Sequence, residues 1–191
     1  MWRTDSAETL YGTNANDVIN GLGGDDYLLG MEGNDTYLFN LGDGQDTIGE
    51  YDPAAGNIDT IRFGAGIATS DIVFGRNGDD LVLFINGTTD QVTIQSWGAR
   101  NDYRIERVEF ADGAVWDATN LPSQLSGLPI IGTNGNDYLS GDTGDDTLDG
   151  GAGNDYLTGS DGNDTYLFNL GDGQDTIAEY DPAAGNVDTI R

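Results

Sequence analysis

Gly12-Thr-Asn-Ala-Asn-Asp17-Val-Ile19-Asn runs directly into Gly21-Leu-Gly-Gly-Asp-Asp26-Tyr-Leu28-Leu and then Gly30-Met-Glu-Gly-Asn-Asp35-Thr-Tyr37-Leu. The three segments share a frame of nine residues, with glycine first, aspartate sixth and an apolar residue eighth. A second array repeats the frame four times. Gly132, Gly141, Gly150 and Gly159 open units whose sixth residues are Asp137, Asp146, Asp155 and Asp164 and whose eighth are Leu139, Leu148, Leu157 and Tyr166. Self-similarity at a fixed short period is the mark of a stacked repeat architecture.

Glycine admits left-handed turn conformations that other residues resist, and Asp-X-apolar-X reads as a short strand with the apolar residue turned inward. The expected fold is therefore all-β, a parallel β-roll in which two units make one coil. Strands then stack about 4.8 Å apart, and turns 18 residues apart lie above one another. Calcium–oxygen bonds are about 2.4 Å and calcium takes six to eight oxygens, so an ion between two such turns accepts one carboxylate from each plus turn carbonyls. This geometry pairs Asp17 with Asp35, Asp137 with Asp155, and Asp146 with Asp164. Asp26 pairs with Asp46, in Gly42-Asp-Gly44-Gln-Asp46-Thr-Ile48, which continues the pattern after a two-residue insertion. Asp155 pairs likewise with Asp175, and Glu8 is a candidate for an end site.

About five calcium ions follow, moving the net charge from −27 to about −17. One apolar residue per unit gives a thin core, Ile19, Leu28, Tyr37 and Ile48 in the first array, so the ions must supply the remaining stability. At ten times a dissociation constant near 10⁻⁴ M, each site adds about 1.4 kcal/mol. The acids outside the sixth position, among them Asp25, Asp142, Asp145, Asp149 and Asp161, read as solvated turn residues. No Asp-rich loop ends in the glutamate of an EF-hand.

A longer duplication overlies the short one. Residues 40 to 61 recur at 169 to 190 with Ala178 in place of Gly49 and Val187 in place of Ile58. The second copy carries one extra nonapeptide and stops at Arg191, the counterpart of Arg62, which points to a chain cut from a longer tandem array.

Composition excludes most alternatives. Acids outnumber bases 34 to 7, 28 of the acids are aspartate, and lysine is absent. Such a surface repels nucleic acid and anionic membranes, and no apolar run is long enough for membrane insertion. Without histidine or cysteine there is no Ser-His or Cys-His catalysis and no imidazole or thiolate metal site. No carboxylate pair is marked as the acid and base of a glycosidase, and the expectation is a protein that is not an enzyme.

At its nonapeptides the sequence resembles the repeats-in-toxin, or haemolysin-type calcium-binding, family of secreted bacterial proteins. The Gly-Asp-Gly-Gln-Asp-Thr-Ile stretches look like the associated haemolysin-related domain. The resemblance implies a β-roll that stays unfolded at low cytosolic calcium, leaves through a one-step secretion channel and folds outside, in the medium or at the bacterial surface. Its ligand rule falls on Asp17, Asp26, Asp35, Asp137, Asp146, Asp155 and Asp164 with turn carbonyls. Ala15 and the stretched Asp46 turn depart from the pattern.

Residues 62 to 120 differ from both arrays. Asp71-Ile-Val-Phe, Asp80 to Ile85, Gln91 to Trp97 and Arg104 to Phe110 read as strands, with turns at Asn77-Gly78, Asn86-Gly87 and Asp112-Gly113. The segment is expected to cap the roll, whose open end would expose unpaired edges. Its first turn also fits the nonapeptide frame, which makes Asp80 a further candidate ligand. The division expected is a first array over 1–61, a flank over 62–120, a linker over 121–131 with a helical turn near 117–128, and a second array over 132–191. Trp97, Tyr103 and Trp116 fit a β-core or, in a second reading, a calcium-dependent module for carbohydrate or cell surface. Arg100, Arg104 and Arg107 are expected to pair with acids such as Glu106 and Glu109. Neighbouring repeats of the same long chain are the other expected partners.

Overall fold

The computed structural model describes residues 6–53, 56–99, 103–117, 120–121, 127–141, 143–179 and 185–191. Arg100, Asp142 and most of the segment 117–128 lie outside them. The chain divides into two compact units, residues 1–74 with 79–124 and residues 75–78 with 125–191.

In the first unit β1 (Thr9–Tyr11), β2 (Val18–Asn20), β3 (Tyr27–Leu29), β4 (Thr36–Phe39), β5 (Gln45–Ile48) and β6 (Thr60–Phe63) alternate between two faces. On one face β1, β3 and β5 pair in parallel, Leu10 against Leu28 and Leu28 against Ile48. On the other, β2, β4 and β6 do the same, with Ile19 against Tyr37 and Tyr37 against Ile61. The register steps by 18 residues between intact nonapeptides, by 20 across the stretched turn and by 24 between β4 and β6. Period-two alternation turns the eighth residue of each unit inward, and Ile19, Leu28, Tyr37, Ile48 and Ile61 are all buried. The expected roll and its core are therefore present.

After the short 3₁₀ turn Thr69–Asp71 come β7 (Ile72–Asn77), β8 (Asp80–Ile85), β9 (Gln91–Ile94), β10 (Arg107–Glu109) and β11 (Val115–Trp116). β9 adds in parallel to β5, with Ile48 opposite Ile94, and β8 pairs antiparallel to β9. β10 adds in parallel to β6, with Ile61 opposite Val108, and β11 closes the other face antiparallel to β10. Each face thus gains one more parallel strand followed by an antiparallel one. Phe39, Phe63, Phe110 and Trp116 form a chain of ring contacts beneath these strands, the last pair 4.8 Å apart.

The second unit rebuilds the roll from β12 (Ile130–Ile131), β13 (Tyr138–Ser140), β14 (Thr147–Asp149), β15 (Tyr156–Thr158), β16 (Thr165–Leu167), β17 (Thr176–Ile177) and β18 (Thr189–Ile190). β12, β14, β16 and β18 stack on one face and β13, β15 and β17 on the other, all in parallel. Ile130, Leu139, Leu148, Leu157 and Tyr166 make one buried cluster. No described helix is long and apolar enough to cross a membrane.

Candidate metal centre

The turns at the edge of each face are joined by their sixth-position aspartates. The backbone N–H of Asp17 donates to Oδ1 of Asp35 at 2.8 Å, that of Asp26 to Asp46 at 3.0 Å, and that of Asp35 to Asp59 at 2.8 Å. In the second unit Asp137 donates to Asp155, Asp146 to Asp164, Asp155 to Asp175 and Asp164 to Asp188, at 2.8, 2.9, 3.0 and 3.1 Å. Glu8 donates to Asp26 at 2.7 Å and Asp59 to Oε2 of Glu106 at 2.8 Å. All five aspartate pairs expected from spacing are stacked. Asp59, Asp188 and Glu106, which continue the ladders, were not expected.

A second ladder runs in the opposite sense one residue earlier. The N–H groups of Asn34, Gln45 and Ile58 donate to Oδ1 of Asn16, Asp25 and Asn34 at 3.0, 2.9 and 2.6 Å. Those of Asn154, Asn163, Gln174 and Val187 donate to Asn136, Asp145, Asn154 and Asn163. Asp25 and Asp145 are exposed, yet they tie adjacent turns together and are more than solvated acids. The fifth position is Asn or Asp in all seven units, a periodic signal that marks this ladder.

The other oxygen of the aspartates separates two groups. Oδ2 of Asp26, Asp35, Asp46, Asp155, Asp164 and Asp175 is buried and accepts no hydrogen bond from the described residues. At the first turn of each array it is satisfied locally, from Thr13 N–H and hydroxyl in Asp17 and from Thr133 in Asp137, at 2.7 to 2.9 Å. A buried anionic oxygen without a partner costs several kcal/mol. Burial accordingly pushes the carboxyls of Asp26, Asp35, Asp155 and Asp164 upward, and that of Asp46 up to about 7. Hard carboxylate oxygens of this kind fit calcium.

The glycines shape the same space. A methyl group on Gly21, Gly30, Gly150 or Gly159 would collide with Oδ2 of Asp26, Asp35, Asp155 or Asp164, five residues on. Gly12, Gly132 and Gly141 face the carbonyls of Gly30, Gly150 and Gly159 in the next turn. Gly33, at the fourth position of a turn stacked on the one before it, is glycine for another reason: its φ is +134 and a Cβ there would lie 2.8 Å from the Ala15 backbone.

Asp146 is the exception among the buried acids. Its Oδ1 receives Arg76 Nη2 at 2.5 Å, both side chains buried. Asp26, Asp35, Asp155 and Asp164 receive a backbone N–H at that oxygen, so the guanidinium supplies the first rung of this stack together with a positive charge. No periodicity marks Arg76.

The remaining expectations divide. Oδ1 of Asp80 accepts the Ser96 N–H at 2.6 Å and the residue begins an antiparallel strand, so it belongs to no turn stack. Trp97 is 2% exposed and Trp116 packs on Phe74 and Phe110, so both are core. Arg107 pairs with Glu109 at 2.8 Å, as does Arg62, whereas Arg104 lies over the Trp97 ring at 5.2 Å.

Stacked turns that present buried aspartate oxygens along a parallel β-roll define a calcium-binding repeat protein. Two family models match the chain: "RTX calcium-binding nonapeptide repeat (4 copies)" at residues 2–37 and 131–166, and "Haemolysin-type calcium binding protein related domain" at residues 80–120. The chain belongs to the RTX haemolysin-type calcium-binding repeat family. The related-domain match falls on the flank, residues 80–120, whereas the Gly-Asp-Gly-Gln-Asp-Thr-Ile stretches lie outside it and continue the stacked turns. The "Iron-regulated protein FrpA" of Neisseria meningitidis serogroup C is 38% identical over 116 residues, 56% of this chain and 10% of that protein. The extracellular lipase LipA from Serratia marcescens aligns over 95% of this chain and 32% of its own, at 20% identity and a TM-score of 0.37. The chain therefore spans about a tenth of its curated relative.

Proposed function

We propose that this chain is a calcium-folded module of a larger secreted bacterial protein, serving as a secretion, spacer and stabilising unit outside the cell or at its surface. The ions sit between stacked turns and take Oδ2 of Asp26, Asp35, Asp46, Asp155, Asp164 and Asp175, with carbonyls at the first glycines. Asp17, Asp137 and Asp146 serve at the ends of the stacks, where Thr13, Thr133 and Arg76 already satisfy one oxygen. About five ions per chain remains the expected number. Each array builds its own ladder of stacked turns, and neighbouring repeats of the same long chain extend the stack. No catalytic role is assigned. The observation that carries this reading is the set of six buried Oδ2 atoms without a hydrogen-bond partner, because a divalent ion offsets their cost. Circular dichroism tests it: β content is expected to rise with calcium and fall with chelator, and equal spectra in both would contradict it.

A second reading, a calcium-dependent module for polysaccharide or cell surface, draws on one groove. Tyr27, Tyr51 and Tyr103 line a cleft of about 460 Å³, with the Tyr51 and Tyr103 rings 5.8 Å apart. Sugars stack on such faces. A glycan array in calcium, repeated with Tyr51→Ala and Tyr103→Ala, is expected to show hits that the substitutions abolish; no hit, or hits unaffected, would remove it.

A further inference from the structure

Two groups of carboxylates join a sixth-position aspartate to acids outside the nonapeptide frame. Asp35, Glu50 and Asp59 each place an oxygen within 4.8 Å of the others, and Asp164, Glu179 and Asp188 repeat the arrangement. Two oxygens bound to one calcium at about 2.4 Å lie at most about 4.8 Å apart, so each triad has the span of a single ion's ligand set. Glu50 and Glu179 stand at the start of the segment inserted where a nonapeptide turn would otherwise link the two aspartates. There the inserted loop offers a full carboxylate.

The first triad is sealed in the protein. Asp35 is 0% exposed, Glu50 3% and Asp59 2%. Oδ2 of Asp35 and Oε1 of Glu50 have no hydrogen-bond partner, while Oε2 of Glu50 is fixed by the Tyr37 hydroxyl at 2.6 Å. Oδ1 of Asp59 is fixed by the Asp35 N–H. Tyrosine replaces the usual leucine or isoleucine at the eighth position only here and at Tyr166, whose hydroxyl donates to Oε2 of Glu179. Two copies thus keep the same acid, hydroxyl and pair of turn aspartates, although the frame demands neither glutamate nor tyrosine.

We propose that Asp35, Glu50 and Asp59, and in the second copy Asp164, Glu179 and Asp188, each hold a calcium ion in a three-carboxylate site distinct from the two-carboxylate sites of the intact turns. The inference rests on the calcium reading above for the identity of the ion. Calcium affinity rises with the number of charged ligands and the rigidity of the site. These two sites therefore fill first, and each anchors the ion stack of its array beneath the inserted loop.

Calcium calorimetry on the full chain, with terbium as a luminescent probe excited through tyrosine, tests this. In the unsubstituted chain the first two equivalents are expected to bind as a separate tight class, and terbium at those equivalents to be sensitised by Tyr37 and Tyr166. Glu50→Gln with Glu179→Gln preserves volume and is expected to abolish that class, weakening the first binding phase about tenfold or more, while the later sites still fill. Tyr37→Phe with Tyr166→Phe is expected to keep two tight ions and lose the terbium emission. Should the double glutamine chain fail to fold, Glu179→Gln alone is expected to remove one tight ion. A tight class unchanged in number and affinity in the glutamine variants would overturn the proposal and leave the turn ladder intact: Glu50 and Asp59 would then share a proton instead. An unsubstituted chain that binds no calcium would overturn the ladder reading itself.

Discussion

The carboxylate of Asp59 accepts the backbone N–H of Asp35 at 2.8 Å across a gap of 24 residues, the same bond that Asp35 makes to Asp17 across 18. A turn can therefore be lengthened by six residues without breaking the stack, provided an aspartate returns to the same rung. Asp164 and Asp188 repeat the relationship in the second unit.

Adjacent acids in one turn are expected to behave differently. Asp26→Asn keeps an acceptor for the Glu8 N–H but removes the buried anionic oxygen, and the calcium concentration needed for half-folding is expected to rise about tenfold, the equivalent of 1.4 kcal/mol. Asp25→Asn places at the fifth position the residue already found at Asn16 and Asn34, and is expected to leave that midpoint within twofold. Equal shifts in the two variants, read by circular dichroism during calcium titration, would contradict the division between the ladders.

Arg76→Met is expected to destabilise the second unit, by up to about 3 kcal/mol, since it removes the guanidinium from the buried carboxylate of Asp146. Pairing it with Asp146→Asn is expected to restore part of that loss. Denaturant unfolding in saturating calcium measures both, and a negligible effect of Arg76→Met alone would count against the guanidinium as the first rung.

Protons and calcium are expected to compete. Burial raises the carboxyls of Asp46 and Asp59 to about 7 and that of Glu50 to about 9, above unfolded values of 3.8 and 4.5. The folded chain without calcium then holds more protons than the unfolded one, so its stability is fullest below the unfolded values and is lost as pH rises through 7 and 9. In chelator, acidification from about pH 8 to about pH 5 should raise the thermal midpoint. In limiting calcium the same change should weaken ion binding. A midpoint in chelator that falls on acidification over this range would have the wrong sign.

The part of this architecture legible in the sequence is the part that repeats every nine residues. Glycine, aspartate and an apolar residue in fixed phase specify turn, ligand and core, and Leu28 and Leu139 lie where that phase puts them. What the period does not encode was not legible. Asp59 and Asp188 stack only because the loops before them rejoin the register, and the frame is lost across those loops. Glu50 is one acid in an aperiodic segment, although its retention at Glu179 in the duplicated block was a signal. Arg76 reaches Asp146 from 70 residues away, and contacts at that separation depend on tertiary packing alone. The Asn and Asp ladder is different, because its fifth-position signal was present and was masked by the general preference of these residues for turns.

Anomalous diffraction from crystals grown in millimolar calcium tests the central claim most directly, because it locates the ions themselves. Peaks are expected between the stacked turns against Oδ2 of Asp26, Asp35, Asp46, Asp155, Asp164 and Asp175. Turns stacked as described but with no anomalous density at those oxygens would contradict the account.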